Sequence, residues 1–231
     1  MKLAVCLITA DRYDYTKLTV DSFMDHNVRH IPNLMLLHAD DASSDMRVRE
    51  CARKAGFELA CGTKFGKPRR GGQRMRHDVI DFAAQRGASH VLVLENDWES
   101  VRQLPMETIE GVFTNHDYVY CMRLYGRYKE LDENGVGRRA CGKTHYGKGK
   151  NTYDPKWMPL NGYSEDIEVG DIHWGAPPSV THINAAVMLH DGTRSESDIR
   201  KKCAMMTELT ARVVNNVFYH IGNDRTPGFK Q

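Results

Sequence analysis

Residues 71–99 read GGQRMRHDVIDFAAQRGASHVLVLENDWE. Val79, Ile80, Phe82 and Ala83 fall at helical spacing, and Gly87 stands where a glycine closes a helix. His90 to Leu94 then runs without a polar break through β-branched and leucine residues, as a strand covered on both faces does. The run stops in Glu95-Asn96-Asp97-Trp98-Glu99, which places carboxylates at the C-terminal edge of that strand. In open α/β sheets that edge is where ligands bind. Two acidic groups with an amide between them suit a hard divalent cation, which prefers oxygen ligands. They suit a solvated acidic loop as well, and the flanking sequence bears on the choice.

Working outward, Leu3 to Thr9 (LAVCLIT) reads as a strand buried on both faces, followed by a helix from about Tyr15 to His26. Asn33 to His38 is a second strand. Ser43 or Ser44 can cap the next helix, Asp45 to Ala55, and Gly56 stops it. Phe57 to Cys61 gives a third short strand, and Lys64 to Arg70 a basic loop. The alternation β-α-β-α-β-α-β predicts a parallel, doubly wound sheet flanked by helices. Beyond it, a helix near Pro105 to Thr114 leads to a strand at Tyr118 to Tyr125. From Lys129 to about Val180 the pattern dissolves into Gly, Pro, Asn, Lys and aromatic residues, which predicts short strands and loops forming an irregular lobe. Order returns over Val180 to Leu189, with a helix near Ser195 to Asn215 and a closing strand at Val217 to Ile221. Four strand ends then supply polar groups to one edge: Thr9 and Asp11, Asp40 and Asp41, Glu95 and Asp97, and His220.

The 231 residues, 41% hydrophobic and 27% charged, fit one large α/β domain. A net charge of +2 makes no global case for nucleic-acid binding. The longest apolar runs fall short of the roughly 18 residues of a membrane span. Met1-Lys2-Leu3 leads into a strand without signal-peptide architecture, and six cysteines lack CxxC spacing, so a reducing cytoplasmic setting and no structural zinc are expected. Gly71-Gly72 is not followed by GKS or GKT, which excludes a P-loop.

Asp40-Asp41-Ala42-Ser43-Ser44-Asp45 resembles the DDGSTD signature of family 2 glycosyltransferases with the GT-A fold. Arg76-His77-x-x-Ile80-x-x-Ala83 resembles the ARNxGIxxA helix of that family, with His77 in place of asparagine. Glu95-Asn96-Asp97 falls where the family has its metal-binding DxD. The likeness covers residues 1 to 100 and implies a single Rossmann-like GT-A domain over 1–231, with a nucleotide-sugar half (1–100) and an acceptor half (101–231). It implies that Asp41 accepts hydrogen bonds from the donor's base, with Thr9 and Asp11 lining the pocket and Arg76 near the base or diphosphate. Asp97 would hold Mn2+ or Mg2+ against the two phosphates of a UDP-sugar, with Glu95 on ribose or metal and Asn96 beside them. His220 would complete the metal site or touch the diphosphate. A divalent cation there would stabilise the developing charge of the leaving group as a Lewis acid.

Transfer also needs a base for the acceptor hydroxyl. Glu208, with Arg212 four positions on, resembles the late acidic motif of the family; the alternative is an i,i+4 surface pair on a helix. Asp198 and Glu196 compete for the role, and an inverting displacement follows from the resemblance. Two basic clusters, Lys64 to Arg76 and Arg138 to Lys156, bear on the acceptor. The second interleaves His145, Tyr146 and Tyr153 and runs up to Trp157, suiting phosphates and a flipped-out base. The Arg225-Thr226-Pro227-Gly228 tail also resembles small phage-type glycosyltransferases. Together they favour glucose-type transfer to hydroxymethylated pyrimidines in double-stranded DNA, in a host cytoplasm if phage-encoded. A surface glycan, small molecule or protein acceptor is the alternative. From another class comes a non-catalytic nucleic-acid-binding module on the same scaffold, against which the strand-end carboxylates weigh. His173, Trp174, Trp157 and Trp98 suit sugar stacking or core packing alike.

Overall fold

Seven consecutive buried residues make Leu3–Thr9 (β1) an interior strand, and the topology follows from the need to cover both its faces. The structure, a computed structural model, describes residues 1–64, 67–124, 129–131, 137–139, 158–170, 178–192, 195–203, 205 and 209–221. After β1 come Tyr13–Asn27 (α1), Met35–Asp41 (β2), Met46–Lys54 (α2), Glu58–Thr63 (β3), Gly72–Gln85 (α3) and His90–Glu95 (β4). β1 pairs in parallel with β2 on one side and β4 on the other, and β3 pairs in parallel with β2. This is the doubly wound half that the alternation predicts.

The helix at residues 72–85 forms for the reasons its sequence carries. Met75, Val79, Ile80 and Ala83 make one buried stripe, packed with Ala4, Cys6, Ile8, Leu37, Val91 and Val93 of the sheet. Each large apolar side chain buried there contributes about 1.5–3 kcal/mol. At its end Gly87 takes φ +74°, its N–H bonds to the Ala84 carbonyl, and the Ala88 N–H bonds to that of Ala83. These two bonds satisfy carbonyls that the helix leaves open, and the chain turns directly into β4. α2 is capped differently from the expectation. Asp45, not Ser43 or Ser44, accepts from the Arg47 N–H, because both serines are bonded to Asp40 and Asp11.

The second half continues with Trp98–Ser100 (β5), Met106–Asn115 (α4), Val119–Arg123 (β6), the hairpin Lys129–Leu131 (β7) and Gly137–Arg139 (β8), Met158–Leu160 (β9) and Ile167–Gly170 (β10). Ser179–His182 (β11), Ile183–His190 (α5), Glu196–Cys203 (α6), Leu209–Val213 (β12) and Phe218–His220 (β13) complete it. Among the described residues nine strands form one sheet in the order β3-β2-β1-β4-β11-β6-β12-β10-β9. β11 is antiparallel to both β4 and β6, so the sheet is parallel through its first four strands and mixed beyond. Within the expected irregular lobe, β9 and β10 join the edge of this sheet.

The long helix expected over residues 195–215 is a correction. α6 ends at Cys203, and Leu209–Val213 is a strand between β6 and β10. Thr210, Ala211, Arg212 and Val213 are buried there. A short apolar run inside a sheet cannot be told from a buried helix by periodicity. Arg212 lies on this strand and pairs with Glu168 of β10 across the ladder, so it is not the partner of an i,i+4 helical pair.

Three histidines are folded in as neutral groups. Burial pushes His38 and His90 down to about 4, with Arg49 adding to the effect at His38 and His182 at His90; burial, Arg76 and His77 push His190 to about 3. The unfolded chain therefore binds more protons than the folded one between those values and the ordinary 6.5. Stability is complete above pH 6.5 and is lost as pH falls toward 4. Denaturant titrations are expected to give an unfolding free energy lower at pH 5 than at pH 7 by at least about 1 kcal/mol; equal values would show these imidazoles to be protonated in the fold.

Candidate active site

The C-terminal ends of β1 and β4, with the turn into α1 and the loop before α3, enclose a cleft of about 260 Å3 lined by Thr9, Arg12, Arg69, Gly72, Glu95 and Asp97 among others. Its floor is set by the β1–α1 turn. Asp11 and Arg12 both take left-handed backbone conformations, φ +56° and +60°. For residues with a Cβ this costs about 1–2 kcal/mol each, and the surroundings hold it in place. The Asp11 N–H donates to Ser43 Oγ at 2.8 Å, its carbonyl accepts from Asn96 Nδ2 at 3.0 Å, and its carboxylate takes the Ser44 N–H at 2.6 Å and the Arg69 guanidinium. Burial works to raise the Asp11 carboxyl, but the bonds from Ser44 and Asp45 and the Arg69 charge hold it below the usual range.

The paired aspartates divide their work. Asp40 is fully buried and accepts from Thr9 Oγ1 at 2.8 Å, from the Ser43 hydroxyl and from Arg49 Nε at 2.6 Å. Burial opposes its ionisation, yet these bonds keep its carboxyl low. Thr9 also meets His38 Nε2 at 2.8 Å, so its hydroxyl is engaged in this network while the residue borders the cleft. Asp41 faces the loop: it accepts from Thr63 Oγ1 at 2.9 Å and from the Arg70 and Gly71 N–H groups, both at 2.8 Å. It thereby fixes the start of α3. Ala42, at φ +57°, sits in the conformation that glycine adopts without strain.

At the end of β4, Arg76 is buried and donates to Glu95 Oε1, so these two residues come together as a pair. Asn96 is also buried, and its amide donates to the Asp11 carbonyl and to Thr16 Oγ1 at 3.2 Å. It supports the strained turn. Asp97 Oδ2 lies 3.3 Å from His220 Nε2 and 3.3 Å from Arg12 Nη1, while its Oδ1 is buried without a hydrogen-bond partner. His220 arrives on β13, which pairs antiparallel with β5 and aligns His220 with Trp98; the Ile221 N–H closes the ladder on the Asp97 carbonyl. The Trp98 and His220 rings pack at 4.8 Å. β5 itself is held by buried polar bonds from Asn27 to Ser100 and from the Ser100 N–H to Ser22.

Asp97 and His220, predicted as metal ligands, are thus neighbours. Among the described residues no three metal-ligating side chains converge. The donor set nevertheless fits a divalent cation. A carboxylate oxygen buried without a partner and an imidazole beside it are two protein ligands, and Mg2+ or Mn2+ at nucleotide sites completes its shell with phosphate oxygens and water.

The second half contributes differently. The Asp198 carboxylate accepts from the Ser195 N–H at 3.0 Å and its hydroxyl at 2.9 Å, the turn that opens α6. Glu196 opens that helix. Glu208, His173, Trp174, Trp157, residues 140–156 of the Arg138 to Lys156 cluster and the 222–231 tail lie outside the described residues. Leu209 begins β12 with its N–H on the Tyr118 carbonyl, at the edge of the sheet opposite the cleft. Sequence reading passed over Arg123 and Glu168, and took Arg212 only as the arginine four positions beyond Glu208; the three stand side by side on β6, β12 and β10. It also gave no role to Arg12, and took Arg69 only as one of the Lys64 to Arg76 basic cluster. Arg12 carried a signal, its place one residue beyond Asp11.

This architecture is the GT-A fold of glycosyltransferases. No family model and no curated protein matches the sequence. Among solved structures, S. aureus TarS 1–349 in complex with UDP-GlcNAc superposes with a TM-score of 0.57 at 13% identity, over 98% of this chain and 62% of that one. Another TarS structure gives 0.57 at 14% identity, over 95% of this chain and 36% of that one. TarS 1–349 with UDP gives 0.52 at 14%, over 95% and 60%. The chain therefore spans less than two thirds of the structures it resembles. Among the described residues no helix is long and apolar enough to cross a membrane.

Proposed function

We propose that the protein is a metal-dependent glycosyltransferase that moves a sugar from a UDP-sugar to a hydroxyl acceptor. The observation that carries this reading is Asp97, its Oδ1 buried and unpartnered beside His220, at the ligand edge of a GT-A sheet. TarS, of the same fold, was crystallised with UDP and with UDP-GlcNAc. In this reading Asp97 and His220 hold Mn2+ or Mg2+, which supplies Lewis-acid stabilisation to the departing diphosphate. Asp41 fixes the 70–71 backbone that borders the nucleotide pocket, and Asn96 keeps the β1–α1 turn in shape. Arg76 neutralises and orients Glu95, whose carboxylate faces the cleft toward the ribose. The bond between the anomeric carbon and the phosphate oxygen breaks, the acceptor oxygen takes its place, and a base receives the hydroxyl proton.

Glu208, which the family resemblance implies, is the proposed base for this proton. Asp198 is engaged in its helix cap. The inverting outcome rests on the family resemblance. For the acceptor, the basic and aromatic residues 138–157 favour hydroxymethylated pyrimidines in DNA, with a glycan, small molecule or protein as the other reading. The deciding experiment is a donor-hydrolysis and transfer screen of UDP- and GDP-sugars with Mn2+, with and without hydroxymethylated DNA. Failure to bind or turn over any nucleotide sugar would overturn the function; failure with this DNA alone would overturn the acceptor.

A further inference from the structure

We infer that Arg12 is a resident cation for Asp97, which a divalent metal must displace, and that this exchange makes metal and nucleoside diphosphate bind cooperatively. The inference rests on the glycosyltransferase reading of the same cleft. Arg12 Nη1 lies 3.3 Å from Asp97 Oδ2, the oxygen that also meets His220 at 3.3 Å. A cation held by the Asp97 carboxylate, through the open Oδ1 or between Oδ2 and His220, stands within a carboxylate's width of the guanidinium on Oδ2, and two positive charges that close repel strongly.

The backbone is built to aim this side chain. Asp11 and Arg12 are consecutive left-handed residues, and bonds to Ser43, Ser44 and Asn96 pin Asp11. The Arg12 carbonyl meanwhile accepts from the Thr16 N–H to start α1. With its backbone fixed and its side chain 39% exposed, Arg12 can leave Asp97 without disturbing the core. Arg69, bonded to Asp11, lines the same cleft. Once released, the Arg12 guanidinium stands with Arg69 where a diphosphate would arrive, and its planar donor fork matches phosphate oxygens. Metal takes the carboxylate, Arg12 takes phosphate, and each ligand removes a cost that the other would otherwise meet.

The test is Mn2+ affinity, read by electron paramagnetic resonance on the intact chain with and without UDP. Without nucleotide, Arg12→Ala is expected to tighten Mn2+ about tenfold, and the further gain on adding UDP is expected to shrink, since coupling between two ligands is reciprocal. Arg12→Lys keeps a cation beside Asp97 and is expected to stay near the wild type, which a purely structural role for Arg12 would not produce. Adding Asp97→Ala to Arg12→Ala is expected to erase the gain. Unchanged or weaker Mn2+ binding in a folded Arg12→Ala protein overturns the inference, as does absence of Mn2+ binding from both proteins. UDP binding separates the two readings. Tighter Mn2+ in Arg12→Ala with no UDP binding by either protein sustains the displacement of Arg12 by metal, and defeats its coupling to UDP together with the UDP-sugar function. UDP binding with Mn2+ affinity indifferent to Arg12 defeats the displacement and leaves the UDP-sugar function standing.

Discussion

Asp97→Ala is expected to abolish metal-supported transfer, lowering turnover by at least about two to three orders of magnitude, the scale on which loss of one electrostatic stabiliser is felt. The substitution removes both oxygens at the candidate metal site, the buried unpartnered Oδ1 and the Oδ2 that meets His220. It leaves the fold nearly untouched. The lost partners, Arg12 and His220, are both at least partly exposed, and such ion pairs contribute about 0–1 kcal/mol. Circular dichroism and the unfolding midpoint should therefore stay close to the wild type while Mn2+ binding disappears. Chelation of the wild type should reproduce the loss. Undiminished transfer in EDTA would remove Asp97 and His220 from any metal role.

Asp41→Ala is expected to weaken nucleotide-sugar binding by about 1.5–3 kcal/mol, roughly ten- to a hundredfold. The route is now specific. Asp41 accepts three hydrogen bonds, two of them from the backbone N–H groups of Arg70 and Gly71 that open α3. Deleting the carboxylate strands those donors and frees the loop that carries Arg69 into the cleft. Asp41→Asn preserves one acceptor oxygen and should retain an intermediate affinity. Calorimetry that finds the same UDP-sugar affinity in Asp41→Ala and wild type would take Asp41 out of the site.

The parallel half of the fold was legible because its signals are local. Unbroken apolar strands such as LAVCLIT and HVLVL, glycine at 87 and a helical stripe through Ile80 each name one element without help from distant residues. The strand at Leu209–Val213 was not legible, because what makes it a strand is the ladder it finds between β6 and β10. The same distinction runs through the site. Asp41, Asp97 and His220 could be named from position along strands. That Asp40 would be consumed by Thr9, Ser43 and Arg49 while Asp41 holds a loop depends on rotamers that no spacing encodes. Asn96 stands among presumed ligands, yet its amide braces the Asp11 turn. Arg12 escaped notice because its importance lies in a left-handed backbone, and arginine is not a residue that advertises one.

The delivery of His220 by β13 sets an order of events during synthesis. Asp97, Arg12 and the four parallel strands all lie in the first 97 residues, whereas the strand that pairs with β5 emerges roughly 120 residues later, a delay of about 6–24 s at 5–20 residues per second. Throughout that interval the parallel half has Arg12 as a partner for Asp97 but lacks the imidazole. On a ribosome-bound chain the proposed cation site is therefore expected to be completed late, when β13 pairs with β5 and sets His220 against Trp98.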